Sequence, residues 1–486
     1  MGRDLFICLR HRDAAAAVFL PLIMQKIVSC LKTRMWVFII IAFVGMSFLF
    51  GSLHIYGDGA GNYFLYRQIL DHNWTLSIAD PPLSLPGSYI FVQGSKGWST
   101  FYQIGTPLVW ALLTPVTFFL PDVPPAFAAY FGLPDFLLND GFIILLISSL
   151  LSVGILLMMA HTLRTVFHFS QSYSIFASLA AFAGLSSWYY AFVAPSYTHT
   201  VALFFLTAAF ALFFSAMQRP SRWVFVAVGM MVGIAALARV DALLYAVVFA
   251  WALAVRFRRA AWRPLIRMTI PCLVIAALQF LLWLYVFGGL FPSDRYRPDE
   301  FSLLLHVADV LFSASHGFFL WSPIALVGCI GIIVLLRDRR DLTWIAAIMS
   351  TLALLVYALF YGAWEVWWGG LSFGQRFLIP LTPFVALGVA AVLSRLQSLT
   401  CVMRLVGAAV ITAIVAYSFC LAIFYPTVAQ WGTSIYENIT PFEVLQGTFR
   451  QYRARGDVSW RKGWRAWYNA TPRPVHFISG VNDNGI

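Results

Sequence analysis

Roughly twenty consecutive apolar residues are what a helix needs to cross the hydrocarbon core of a bilayer, and this chain carries such runs repeatedly. Windows 35–53 and 405–424 contain no Asp, Glu, Lys or Arg. The composition agrees, at 61% hydrophobic and 11% charged residues, where soluble domains carry about a quarter charged. We therefore expect an all-α polytopic bundle of about eleven spans between 35 and 424. One apolar piece, 104–120, is broken by Pro107 and Pro115 and could cross the membrane or lie along its surface.

The formal net charge of +12 acquires meaning from where the cations sit. Cytoplasmic loops collect Lys and Arg. With the N-terminus inside and 104–120 outside, nineteen of the thirty-two Lys and Arg fall on the inner face. The excess is a topology signal, and no nucleic-acid partner is expected. This divides the chain into a basic cytoplasmic N-terminus (1–34), a transmembrane module (35–424) with a first outer loop over 54–139, and an outer-face tail (425–486). A multi-pass protein of the bacterial inner or plasma membrane is expected. Residues 1–34 lack the short apolar core and cleavage site of a secretory signal. No internal repeat of the kind found in many carriers is visible.

The six cysteines are scattered without metal or redox spacing and read as apolar fillers. No Walker loop, His-Glu-x-x-His or Gly-x-Ser-x-Gly is present. An enzyme acting on the outer face has no cytoplasmic nucleotide-sugar supply, so it would need a donor carried by lipid.

Ionisable residues concentrate at the outer ends of the spans, where burying them is costly and suggests a purpose. In Tyr56-Gly57-Asp58-Gly59-Ala60-Gly61, a carboxylate stands among small residues just beyond the first span. Asp58 could accept a proton from a hydroxyl or cap the helix that follows. The second concentration is Trp364-Glu365-Val366-Trp367-Trp368-Gly369-Gly370-Leu371-Ser372-Phe373-Gly374-Gln375-Arg376. Its glycines let backbone approach a ligand, and Arg376 offers a cationic fork for a phosphate or snorkels to lipid headgroups. Trp364, Glu365, Trp368 and Gln375 are candidate substrate contacts. Arg239 either neutralises Asp241 or binds substrate. His199 and His316 are ligands or hydrogen-bonded fillers, and Lys96 is a second phosphate contact or a solvated lysine. Aromatics such as Trp110, Trp188 and Tyr190 read as an interfacial belt or as platforms for a sugar ring.

Taken in order, these motifs resemble the GT-C superfamily of membrane glycosyltransferases, near the protein O-mannosyltransferases and the lipid A aminoarabinose transferase. The resemblance rests on Tyr56-Gly57-Asp58 with Tyr63, Tyr102-Gln103-Ile104-Gly105-Thr106-Pro107, the stretch 233–239, His316-Gly317-Phe318-Phe319-Leu320-Trp321-Ser322-Pro323, and the segment 364–377. It implies transfer of a sugar from a polyprenyl-phosphate carrier to an acceptor hydroxyl on a lipid, polysaccharide or protein, with inversion. Asp58 would be the base, Arg376 and Arg239 would receive the phosphate, and Tyr63 would contact substrate. Many relatives carry an adjacent acidic pair, whereas Asp58 is flanked by glycines. A divalent metal would need a second carboxylate, for which Asp80 is the candidate; no metal site or cofactor is assigned. The rival expectation is a transporter or flippase for a lipid or lipid-linked sugar, with its site deeper among broken helices.

Overall fold

The structure, a computed structural model, describes residues 37–53, 55, 57–72, 76–78, 91–115, 135–292, 301, 305–337, 341–370, 372–428 and 439–446. Asp80, the N-terminal 1–34 segment and most of the 425–486 tail therefore lie outside the described residues. After α1 (Val37–Leu49), the first loop builds α2 (Asp58–Leu70), an antiparallel hairpin of β1 (Phe91–Gly94) and β2 (Gly97–Thr100), and α3 (Gly105–Leu113). The bundle follows with α4 (Asp135–Thr165), α5 (Gln171–Gly184), α6 (His199–Gln218), α7 (Arg222–Ala238), α8 (Leu244–Phe257) and α9 (Trp262–Phe287). Short helices α10 (Val307–Phe312) and α11 (Phe318–Trp321) lead into α12 (Ile324–Leu336), α13 (Asp341–Ala363), α14 (Thr382–Leu396) and α15 (Cys401–Val428).

Among the described residues, seven helices are long and apolar enough to cross a bilayer, and α1, α7 and α12 are shorter apolar helices. The protein is an all-α, multi-pass integral membrane protein. Two expected pieces differ from a simple span. Window 174–193 is interrupted: α5 stops at Gly184, Leu185 is extended, and Tyr189–Val193 forms a π-helical turn. In the 104–120 window, α3 is only 9 residues long, less than half the roughly 20 that a span requires.

Glycine decides the closest helix contacts. A side chain at Gly331 would overlap the carbonyl of Gly388, and one at Gly388 would overlap the carbonyl of Gly328, so α12 and α14 meet backbone to backbone. Gly229 brings α7 equally close to the Met268 carbonyl of α9. Without a hydrophobic force between helices in lipid, such close packing supplies the attraction.

The core is aromatic. Phe213 and Phe249 stack at 4.1 Å, and Trp110, Trp188 and Tyr190 are at most 1% exposed. That burial corrects the belt expectation for these three, which pack against protein rather than facing headgroups.

The first loop is fastened to the bundle at several points. Asn62 Nδ2 donates to the Ser196 carbonyl at 3.1 Å, and the Tyr63 hydroxyl donates to Asp140 at 2.6 Å. Ser95, at the hairpin tip, donates to the Val286 carbonyl at 3.1 Å. The hairpin thus sits at the C-terminal end of α9, while the basic 256–267 segment lies at its other end. At 1.5 Å per residue, the 26 residues of α9 place its two ends about 39 Å apart.

Candidate active site

Asp58 opens α2. The chain enters from Gly57 in a left-handed conformation, φ 55°, which glycine adopts without strain. The N-cap position belongs to Gly57 and Asp58 is the first helical residue, so the capping role is not the one it plays. Its Oδ2 instead accepts from Arg376 Nη1 at 2.5 Å, and its Oδ1 accepts from the Tyr102 hydroxyl at 2.7 Å. Side chains at Gly59 and Gly61 would overlap Ser196 and Tyr102 respectively. The small residues around Asp58 therefore serve first to seat α2 against its neighbours.

Arg376 arrives from the other side. The loop after α13 turns through left-handed backbone at Gly369, Gly370 and Gly374, then enters a 3-10 turn over Arg376–Leu381. Gln375 ties this loop down by donating from Nε2 to the Trp367 carbonyl at 3.2 Å. The guanidinium lies 5.6 Å from the Tyr197 ring centroid and 5.4 Å from that of Phe377. Its Nε is buried with no hydrogen-bond partner among the described residues.

A second ion pair faces the same space. Arg239 ends α7, and its Nε donates to Asp241 Oδ1 at 3.0 Å. Nη2 donates to the Tyr361 hydroxyl at 3.2 Å, Nη1 lies 3.3 Å from His199 Nε2, and the Phe377 ring is 5.7 Å away. Burial works against the Arg239 charge, but Asp241 and Tyr361 together outweigh it and the guanidinium is held above its ordinary pKa. Arg239 thus neutralises Asp241, and both line the cavity.

That cavity holds about 550 Å³ and is lined by Asp58, Tyr102, Arg239, Asp241, Tyr361 and Arg376 among others. Val240, Leu243, Leu244, Phe301, Phe360 and Val366 also line it, giving the same space an apolar portion. Phe301 and Phe360 are in ring contact at 5.7 Å. An ionic part and an apolar part in one cavity suit an amphipathic ligand.

The other expected residues divide. Trp364 lines the cavity. His199 does not, and instead supports Arg239 from behind. Tyr63 is not in the lining; its hydroxyl is committed to Asp140, and burial followed by the Asp140 charge raises its pKa. Lys96 is corrected most clearly. It is exposed on the hairpin tip, 5.3 Å from the Tyr285 ring, and does not line the cavity. Glu365 is exposed, and neither it nor Trp368 or Gln375 is in the lining. His316 is 2% exposed and stacks on Trp321 at 6.4 Å; it lies behind the site, not in it. Burial, with the Arg376 charge adding to it, lowers the His316 pKa to about 4. Tyr361 was not anticipated, because one aromatic in an apolar run looks like any other until the fold turns it inward; Phe377 closed the 364–377 segment without a role of its own. Tyr102 was visible as part of a motif but had no role attached.

No protein-family model matches the chain, and no curated protein matches it. Among solved structures, ArnT from Cupriavidus metallidurans in the apo state aligns with TM-score 0.52 and 17% identity, covering 87% of this chain and 69% of that one. ArnT from the same organism bound to undecaprenyl phosphate aligns with TM-score 0.53 and 16% identity, covering 90% and 74%. At such identity the likeness is one of fold: the chain shares the helical architecture of these two structures.

Proposed function

We propose that this protein is a glycosyltransferase that takes its sugar from a polyprenyl-phosphate carrier on the outer face of the membrane and passes it, with inversion, to an acceptor hydroxyl. The observation that carries this is the meeting of Asp58 and Arg376 across one cavity that also has an apolar portion. A carboxylate and a guanidinium are what such a transfer needs, the first for the incoming proton and the second for the departing charge. One structural neighbour was solved with undecaprenyl phosphate bound, a ligand of the class proposed.

In the proposed reaction the acceptor oxygen attacks the anomeric carbon opposite the phosphate, and its proton passes to Asp58. The carbon–oxygen bond to phosphate breaks, and its electron pair leaves with the polyprenyl phosphate. Arg376, assisted by Arg239, stabilises the charge gathering on that oxygen, an effect commonly worth about 3–4 kcal/mol per donor. Trp364, in the cavity lining, offers a ring face against which a sugar can rest. The 35–424 segment would be the catalytic module.

Sidedness is supported by α9, which holds the first-loop hairpin at the end opposite the basic 256–267 segment. The ionic groups stand at helix ends, Asp58 opening α2 and Arg239 following α7, rather than along mid-span, which counts against the carrier alternative. The test is incubation of the purified protein with radiolabelled polyprenyl-phosphate sugars and a membrane extract. Label should move to a new product with wild-type protein and not with folded Asp58→Asn protein. Normal transfer by that variant removes the base assignment.

A further inference from the structure

Asp58 has both carboxylate oxygens occupied: Oδ2 by Arg376 and Oδ1 by Tyr102. The group that should take a proton is bound to the group that should take the phosphate. Arg376 is only 12% exposed at its side chain, it packs against Tyr197 and Phe377, and its Nε lacks a partner. A phosphate entering the cavity meets the Nη end of the guanidinium, and of its two nitrogens Nη1 is the atom Asp58 now holds.

We infer that Asp58 and the donor phosphate compete for Arg376, so that binding of the donor unmasks the base, with Tyr102 as the positioning residue that keeps the freed carboxylate in place. This rests on the proposed function. Before donor binds, the Oδ2 lone pair facing Arg376 is unavailable to an acceptor hydroxyl, and the acceptor cannot be activated early. Once phosphate takes the guanidinium, Oδ2 is free while the Tyr102 hydroxyl still fixes Oδ1. During transfer the acceptor proton moves to Oδ2, the new carbon–oxygen bond forms, and the phosphate leaves with the electron pair of the broken bond. A protonated Asp58 no longer competes for Arg376, so the more highly charged product phosphate remains held. Loss of that proton restores the ion pair and favours release. The donor must therefore bind before the acceptor is activated, an order set by one shared guanidinium.

The test is the affinity of purified full-length protein in nanodiscs for undecaprenyl phosphate, with inorganic phosphate as the headgroup-only comparison. Asp58→Asn should bind the lipid at least tenfold more tightly than wild type, because the competitor is gone; Arg376→Ala should lose at least tenfold. Tyr102→Phe should keep wild-type affinity while kcat falls, a split that general loss of structure would not give. Affinity in Asp58→Asn equal to or weaker than wild type overturns the competition. Unchanged affinity in Arg376→Ala instead defeats the phosphate role on which it rests. Should Asp58→Asn fail to fold, infrared difference spectra of wild-type protein labelled at aspartate decide the matter. Adding undecaprenyl phosphate should shift an aspartate carboxylate stretch, and no shift overturns the inference. Competition by inorganic phosphate as strong as by the lipid would assign the site to the headgroup alone and overturn the polyprenyl source.

Discussion

Asp241 and Arg239 are nearly enclosed, with side chains 8% and 14% exposed. Removing one member of such a pair leaves an uncompensated charge, which typically costs about 3–5 kcal/mol. Asp241→Asn should therefore lower the thermal midpoint of the detergent-purified protein sharply, and a midpoint within a degree or so of wild type would show the pair contributes nothing. His316 behaves differently because its neighbourhood favours the neutral ring. Its pKa stands at about 4 in the folded protein against an ordinary 6.5. Between those values the unfolded chain binds a proton that the folded one refuses, so the His316 contribution to stability is complete above pH 6.5 and drains away as pH falls towards 4. At 1.36 kcal/mol per pH unit the full loss is about 3 kcal/mol. Thermal midpoints followed from pH 7 to 4 should fall less steeply in His316→Gln than in wild type; parallel curves would contradict the assignment. At this scale Asp58, Arg239 and Arg376 were legible because an ionisable group at a membrane edge is costly enough to stand out. The roles of Tyr102, Tyr361 and Phe377 were hidden by the abundance of aromatics. Lys96 and Glu365 misled because sequence gives a loop residue's charge but not the direction it faces.

Among the elements, α12 and α14 rest on glycines whose replacement has nowhere to go. In Gly388→Ala the new methyl would overlap the Gly328 carbonyl, and in Gly331→Ala the Gly388 carbonyl. Backbone cannot swing aside as a side chain can, so either change should cost on the order of 1–3 kcal/mol by overpacking. Gly45→Ala in α1 is the natural control, since nothing lies within 4 Å of the added carbon. Thermal midpoints should drop for the first two and hold or rise for the third, and equal midpoints for all three would refute the backbone contact. Most spans could be read from apolar length alone, since lipid demands helices that satisfy their own hydrogen bonds. The break at Gly184 and the π turn after it could not, because extended Leu185 and the buried 189–193 segment are as apolar as a continuous helix would be.

For the whole molecule, sidedness is the expectation that charge bias sets, and the fold puts the first-loop hairpin and the basic 256–267 segment at opposite ends of α9. The exposed Lys96 belongs to the hairpin held at one end of α9, and exposed Arg259 lies just before its other end. In a background with exposed Cys401 removed, Lys96→Cys should react with an impermeant maleimide added outside intact cells and Arg259→Cys should not. The reverse pattern would put the cavity on the cytoplasmic side. Fold class and the pairing of a first-loop carboxylate with a distant arginine were thus within reach of sequence; the shape that joins them, and the second ion pair sharing their cavity, required the packing of α6 and α13 against the 376–381 turn.

The central claim is that Asp58 and Arg376 serve one transfer reaction within one cavity, and a double-mutant cycle on kcat/KM for labelled polyprenyl-phosphate sugar tests it most directly. Residues acting as a unit are strongly non-additive. Asp58→Asn and Arg376→Ala should each lower kcat/KM by about a hundredfold or more, and the double variant should be little worse than the poorer single one. Losses that multiply in the double variant, or single variants that transfer sugar at the wild-type rate, would contradict the account.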